Sequence, residues 1–208
     1  MPRTLGILGG MGPAATVNFL RLLVAEFNAF GIYDDVDFPR MLMLSLPLEE
    51  WDHRGAIDKA TVREQVLSGI DWLKAAGADI IAVPCNSVSE FTDGDKSVVS
   101  IVDETLKLVK PGVIGVLCSA QAREAKLYEK RGRAVQYYPT QSSVDNIIYS
   151  VIHGMRCDIG MMINAEFAEC ASIVLGCTEL SLCSFSRVGG KHIIDSSSAL
   201  AKAVVRRV

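Results

Sequence analysis

Two stretches of the chain set a thiol beside small hydrogen-bonding residues: Val83-Pro84-Cys85-Asn86-Ser87 and Leu175-Gly176-Cys177-Thr178-Glu179. Each follows an apolar run, residues 78–83 in one case and 171–175 in the other, so each cysteine falls where a buried strand should end. A cysteine just ahead of a helix N-terminus feels the free N–H groups there, and its pKa is expected to fall from about 8.5 toward neutrality or below. Asn86-Ser87 and Thr178-Glu179 suit such a start, because their side chains cap helices or donate to sulfur. A lone cysteine is ordinarily a small packing group, and Cys118, Cys157, Cys170 and Cys183 are read that way. Two thiols at matched positions imply more. Flanking one carbon, they suit a reaction that removes a proton from one face and delivers one to the other, with one thiolate as base and one thiol as acid. Racemisation or epimerisation is that reaction. For an amino acid, whose α-hydrogen is weakly acidic, the site must also stabilise a carbanion-like transition state with donors and a dry cavity. Asn86, Thr178 and the backbone N–H groups beside them are placed for this.

Positioning these thiols requires strands and helices in a definite order. Aliphatic runs at 4–8, 41–46, 79–83, 98–102, 113–118, 134–138 and 171–175 read as strands. Between them, 13–30, 56–76, 104–110, 120–131, 144–155 and 161–170 have helical period, and a last helix at 196–208 opens on an Asp195-Ser196 cap. Leu20, Leu23, Val24 and Phe27 are expected on the inner face of the first helix, and Val62, Val66, Ile70 and Leu73 on that of the second. Near-continuous apolar strands alternating with amphipathic helices mean parallel sheets covered on both faces. The pattern begins again midway, where Gly6-Ile7-Leu8-Gly9 is answered by Gly115-Val116-Leu117-Cys118. The chain therefore reads as an internal duplication: two similar α/β lobes with parallel sheets, related by a pseudo-twofold axis, with Cys85 and Cys177 facing one cleft between them. The first lobe spans 1–103 with the helix 196–208 packed back on it, and the second spans 104–195.

Composition narrows the function. The chain has 208 residues, half of them hydrophobic, and a formal net charge of −3. That supports a sizeable core and gives no basic surface for nucleic acid, so the expected partner is a small molecule. The apolar run after Met1-Pro2-Arg3-Thr4 is too short for a signal peptide or membrane span, and a cytoplasmic protein is expected. The six cysteines include no C-x-x-C, and His53, His153 and His192 are scattered, so neither a disulfide scaffold nor a metal site is expected.

Taken in order, Gly6-Ile7-Leu8-Gly9-Gly10-Met11-Gly12-Pro13 with Thr16, Pro84-Cys85-Asn86-Ser87, Leu175-Gly176-Cys177-Thr178-Glu179-Leu180 and Ile194-Asp195 resemble the successive motifs of the aspartate/glutamate racemase family. Glu179 after the second cysteine resembles the aspartate racemase branch. The resemblance implies two flavodoxin-like lobes, a cofactor-independent two-base racemase acting on aspartate, glutamate or a related amino acid, and a homodimer. It also implies that Cys177 works on the L-isomer and Cys85 on the D-isomer. Met11, Gly12, Thr16, Asn86, Ser87, Ser119, Thr178 and Glu179 fall where such a family holds its substrate, and Arg54 resembles an arginine that meets a substrate carboxylate. Two positions depart from the pattern: Ser87 stands where threonine is common, and Ala122 where a carboxylate-holding threonine is expected.

Other readings compete. Gly10-Met11-Gly12-Pro13-Ala14-Ala15 fits a dinucleotide fingerprint, with Asp34, Asp35 and Asp37 at about the right distance. However, the ribose-binding acid should end the second strand, and residues 41–46 end in Ser45-Leu46. The glycines are better explained by close approach of a small carboxylate to a helix N-terminus, with Pro13 at the first helical position. Similar folds also serve hydantoin racemisation, malonate decarboxylation through one cysteine, and maleate isomerisation. A noncatalytic ligand-binding relative is the alternative of a different class.

Overall fold

The computed structural model describes residues 3–185 and 188–208, leaving Met1, Pro2, Ser186 and Arg187 outside the described residues. In chain order its strands are β1 (Leu5–Gly9), β2 (Met41–Ser45), β3 (Trp51–Asp52), β4 (Gly55–Ala56), β5 (Ile80–Ala82), β6 (Val98–Val99), β7 (Ile114–Leu117), β8 (Val135–Tyr137), β9 (Ser172–Leu175) and β10 (Ile193–Asp195). The helices are α1 (Pro13–Ala29), α2 (Lys59–Ala75), α3 (Ser89–Thr92), α4 (Ile101–Leu106), α5 (Ala120–Glu124), α6 (Gln141–Ile152), α7 (Gly160–Glu166) and α8 (Ser196–Val205).

The sheets repeat one another. The first runs β2-β1-β5-β6 and the second, read in the same sense, β8-β7-β9-β10, with every pairing parallel. The central strands β1, β7 and β9 are wholly buried because helices cover both of their faces. On the outer side of the first sheet, Val62, Val66, Ile70 and Leu73 of α2 pack on Leu8 and Ile81. On the outer side of the second, Ile148 and Val151 of α6 and Ile163 of α7 pack on Leu117, Ile173 and Leu175. Between the sheets lies a single shared core. Leu5 and Ile7 meet Phe19, Leu23 and Phe27 of α1, Leu200 and Val204 of α8, and Ile114, Val116 and Val174 of the second sheet. The C-terminal helix packs on α1 and α4, and Asp195 caps it by accepting from the Ser197 N–H at 2.9 Å.

Several expectations move. The inner face of α1 is Ala15, Phe19, Leu23 and Phe27, while Val24 is exposed. The expected helix 120–131 breaks after Glu124, because Lys126 turns left-handed (φ 51°) and a 3-10 turn Glu129–Arg131 follows. The break swings Leu127 and Tyr128 into the shared core. Strand 98–102 shortens to two residues, since the Ser100 hydroxyl accepts from the Asp103 N–H and starts α4 at once. The hairpin β3–β4 and strand β10 were not expected. They span two and three residues per strand, too few for a period-2 pattern to register. Asp35 and Asp37 lie in an exposed 3-10 turn ahead of β2. Among the described residues no helix is long and apolar enough to cross a membrane.

The paired glycines Gly6 and Gly115 hold close contacts in the two lobes. A Cβ on Gly6 would stand 2.8 Å from the Ala78 Cβ, and one on Gly115 would stand 2.6 Å from the Phe167 ring. The Phe167 ring is fully buried and has nowhere to retreat. Gly115→Ala is expected to destabilise the fold by about 1–3 kcal/mol, seen as a lower denaturant midpoint at unchanged slope. A midpoint equal to that of the wild type would show that the ring yields freely.

Candidate active site

Cys85 follows β5 by three residues and Cys177 follows β9 by two, so the matched strands of the two sheets deliver the two thiols. Both line one cavity of about 280 Å³ at the carboxyl ends of the strands, the usual ligand position in open parallel sheets. The β1–α1 turn adds Met11 and Gly12, and Asn86, Ser87, Ser119, Thr178 and Glu179 complete the inner wall. The turn can approach this closely because Gly10 adopts φ +100°, with the Leu46 backbone where a side chain would stand.

The thiols are not depressed as the sequence leads one to expect. Cys85 is 6% exposed and Cys177 7%. Burial pushes the Cys85 thiol up from 9.0 to about 12, and the Glu179 carboxylate adds to the rise. The N–H groups of Val88 and Ser87 do favour the thiolate, but they offset only part of the burial effect. Cys177 is raised well above its ordinary value, first by burial and then by Glu179. The elements after the cysteines explain the shortfall. They are the four-residue α3 and the 3-10 turn Thr178–Leu182, too short for a sizeable helix dipole. The Cys177 thiol instead donates to Glu179 Oε2 at 3.0 Å. The same oxygen accepts from the Thr178 hydroxyl at 3.3 Å, and Glu179 Oε1 accepts from the Gly12 N–H at 3.3 Å, across the cleft.

Other hydrogen bonds tie the walls together. The fully buried Tyr128 hydroxyl donates to Asn86 Oδ1 at 3.0 Å, and Asn86 Nδ2 donates to the Ser196 hydroxyl at 2.9 Å. Asn86 is thus fixed from both sides. The Ser87 and Ser119 hydroxyls meet at 2.7 Å. Gln121 donates to the Ser87 carbonyl at 3.0 Å and accepts from the Ala56 N–H, anchoring the β3–β4 hairpin to the second lobe.

Two of the expected residues stand apart from the cavity. Thr16 braces the β1–α1 turn from behind, donating to the Gly12 carbonyl and accepting from the Gly10 N–H, both at 3.0 Å. Arg54 sits at the hairpin tip with its side chain 63% exposed, bound to Asp52 at 2.8 Å, and lines a neighbouring depression with Lys59 and Gln121. Ala122 is buried in the shared core among residues such as Cys118 and Leu127. The mouth of the cavity holds residues the sequence reading missed: Trp51, Asp52 and His53 from the hairpin, and Ile148, Tyr149, Ile152 and His153 from α6 and its end. His53 and His153 flank Tyr149, with ring centroids 5.1 and 4.0 Å away. Only the i, i+4 spacing of Tyr149 and His153 could have flagged them; their meeting with the hairpin is tertiary.

Two parallel sheets of matched strand order, each bringing a thiol to a common cleft, define a duplicated α/β scaffold of the racemase type. The chain belongs to the Asp/Glu/hydantoin racemase family, whose family model matches residues 8–204. It is 27% identical over 219 residues to the broad specificity amino-acid racemase RacX of Bacillus subtilis (strain 168), covering 97% of this chain and 96% of that protein. Among solved structures it resembles the aspartate racemase of Picrophilus torridus (TM-score 0.78, 24% identity, 98% of this chain and 93% of that one). It also resembles an aspartate racemase homologue from Pyrococcus horikoshii OT3 (TM-score 0.73, 18% identity, 98% of each chain). At these identities the structural likeness speaks for the fold.

Three measurements test this geometry. At pH 7 the buried, protonated Cys85 and Cys177 should react with iodoacetamide more slowly than free cysteine; labelling at or above the free rate would contradict the raised pKa values. Because the unfolded chain sheds its thiol protons first, the stability these groups contribute is complete below about pH 9. The Cys85 share is lost as pH rises toward about 12, so Tm should fall over that window, and less steeply in a Cys85→Ser variant. Tyr128→Phe strips Asn86 Oδ1 of its donor and should cost about 1–3 kcal/mol in chemical denaturation.

Proposed function

We propose that the chain is a cofactor-independent amino-acid racemase in which Cys85 and Cys177 act on opposite faces of the α-carbon. The observation that carries the reading is that both thiols line one small cavity, with a carboxylate hydrogen-bonded to one of them. The cavity lies just below the usual range of about 300–1,000 Å³ for ligand sites, room for a single small metabolite.

Both thiols rest protonated, so one must first lose its proton. Cys177 passes its proton to Glu179 along the 3.0 Å hydrogen bond and, as thiolate, takes the α-proton of the L-isomer. Cys85 then delivers its own proton to the opposite face. The Cys85 thiolate regains a proton from solvent as product leaves, and Glu179 releases the one it took. The D-isomer runs these steps in reverse: Cys85, its proton lost to solvent, takes the α-proton as thiolate, Cys177 delivers its own to the opposite face, and the Cys177 thiolate is reprotonated by Glu179, which has taken a proton from solvent. Met11, Gly12, Asn86, Ser87, Ser119 and Thr178 hold the substrate, with backbone N–H groups and hydroxyls opposite the α-carboxylate, where developing charge is stabilised. Thr16 keeps the Gly12 carbonyl in place, and Arg54 stays at the rim, balancing Asp52. The working unit we propose is a homodimer. Met41 and Met43 of the edge strand β2 lie beside Leu5 and Ile7 on the α1 side of the sheet, where they remain exposed together with Val24.

The test is α-proton washout in D2O from single enantiomers of a panel of amino acids. Cys177→Ala should abolish exchange from the L-isomer and Cys85→Ala that from the D-isomer, whereas full two-way exchange in either variant would rule the mechanism out. Glu179→Gln should slow exchange from the L-isomer by about 10²–10⁴-fold. Binding without any exchange would make the chain a ligand-binding relative. Sedimentation should give a dimer, and Met43→Asp should shift it toward monomer.

A further inference from the structure

We infer that the cavity selects amino acids with neutral, apolar side chains over dicarboxylic ones, and that Trp51, Ile148 and Ile152 form the wall that sets this preference. The inference rests on the racemase reading above and deepens it by naming the substrate class.

The reacting end of the cavity is polar, whereas the mouth sets an apolar wall beside Asp52, His53 and His153. Beyond the two sulfurs, the walls are the Trp51 indole from the hairpin, and Ile148, Tyr149 and Ile152 from α6. Among the described residues neither lysine nor arginine lines the cavity; its formally anionic residues are Asp52 and Glu179. A second substrate carboxylate would therefore leave water without a cationic partner and near like charge, an unfavourable exchange on both counts. The cations nearby are already engaged. Arg54 donates to Asp52 through Nε at 3.1 Å and Nη2 at 2.8 Å, and Lys59 pairs with Glu90 at 3.2 Å. Neutral donors are few: the Ser87–Ser119 pair leaves one hydroxyl hydrogen free and Asn86 one amide hydrogen, and in the racemase reading both serve the α-carboxylate. The mouth histidines pack on Tyr149, and His153 Nδ1 lies 2.8 Å from the Tyr149 carbonyl.

A cationic side chain fares no better. Asp52, the carboxylate at the mouth, accepts from Arg54 through both oxygens, including the Arg54 N–H at 2.7 Å, so a substrate ammonium would have to displace an existing pair. What the wall offers without rearrangement is apolar contact. Glu179 does not argue for aspartate, because its two oxygens serve Cys177, Thr178 and the Gly12 N–H at the reacting end.

The experiment measures binding and turnover side by side on the full chain. Calorimetry with alanine, leucine, methionine, aspartate, glutamate and lysine reads binding, and D2O exchange on the same panel reads turnover. Leucine and methionine should bind at least ten-fold more tightly than aspartate, glutamate or lysine. Trp51→Ala should weaken leucine and methionine at least ten-fold while leaving alanine within three-fold, a control for folding. Ile152→Lys should narrow the gap between glutamate and leucine. Aspartate, glutamate or lysine binding as well as leucine would overturn the inference, as would Trp51→Ala weakening all ligands alike or Ile152→Lys leaving the gap unchanged. Selective leucine binding without exchange sustains the inference and defeats the racemase reading, whereas exchange that favours aspartate does the reverse. Neither binding nor exchange defeats both.

Discussion

The hydrogen bond between the Cys177 thiol and Glu179 is the contact on which the candidate site depends. Both groups are buried, and a carboxylate in such a place needs donors on every side. It finds them in the thiol, in the Thr178 hydroxyl and, across the cleft, in the Gly12 N–H. One side chain thus joins the second lobe's cysteine to the first lobe's glycine turn. The same contact raises the resting pKa of the thiol and, in the mechanism we propose, supplies the group that takes its proton. Burial favours protonated sulfur.

Hydrogen bonds lock the walls of the cavity. Asn86 is held by a tyrosine from one lobe and a serine at the start of the last helix. Ser87 and Ser119 close on each other from the two sheets, and Gln121 clamps the hairpin. What enters the cavity meets the sulfurs, the backbone turns, and a mouth where Trp51, Ile148 and Ile152 stand beside Asp52 and two histidines.

Much of this could be read along the chain. β1, β5, β7 and β9 are aliphatic runs that no other element explains, and their ends mark both thiols. The inner face of α2 follows from Val62, Val66, Ile70 and Leu73 alone. Other features depend on contacts between distant segments. The helix expected at 120–131 breaks at the left-handed Lys126, and the break carries Tyr128 into the core, where it reaches Asn86. Trp51 and Tyr149 share a wall although nearly a hundred positions separate them. The direction of the thiol shifts was misjudged for the same reason. Local order put N–H groups beside the sulfurs, correctly, but the depth of burial depends on what the opposite sheet contributes.

The two sheets do not own separate interiors. Phe19, Leu23 and Phe27 touch the same cluster as Ile114, Val116 and Val174, and the closing helix seals that cluster from the far end of the polypeptide. Cutting the chain in half would not yield two self-sufficient units. Either fragment would bare an oily flank meant for its sibling. The two halves depend on each other, and the strands that carry both sulfurs lean on one interior.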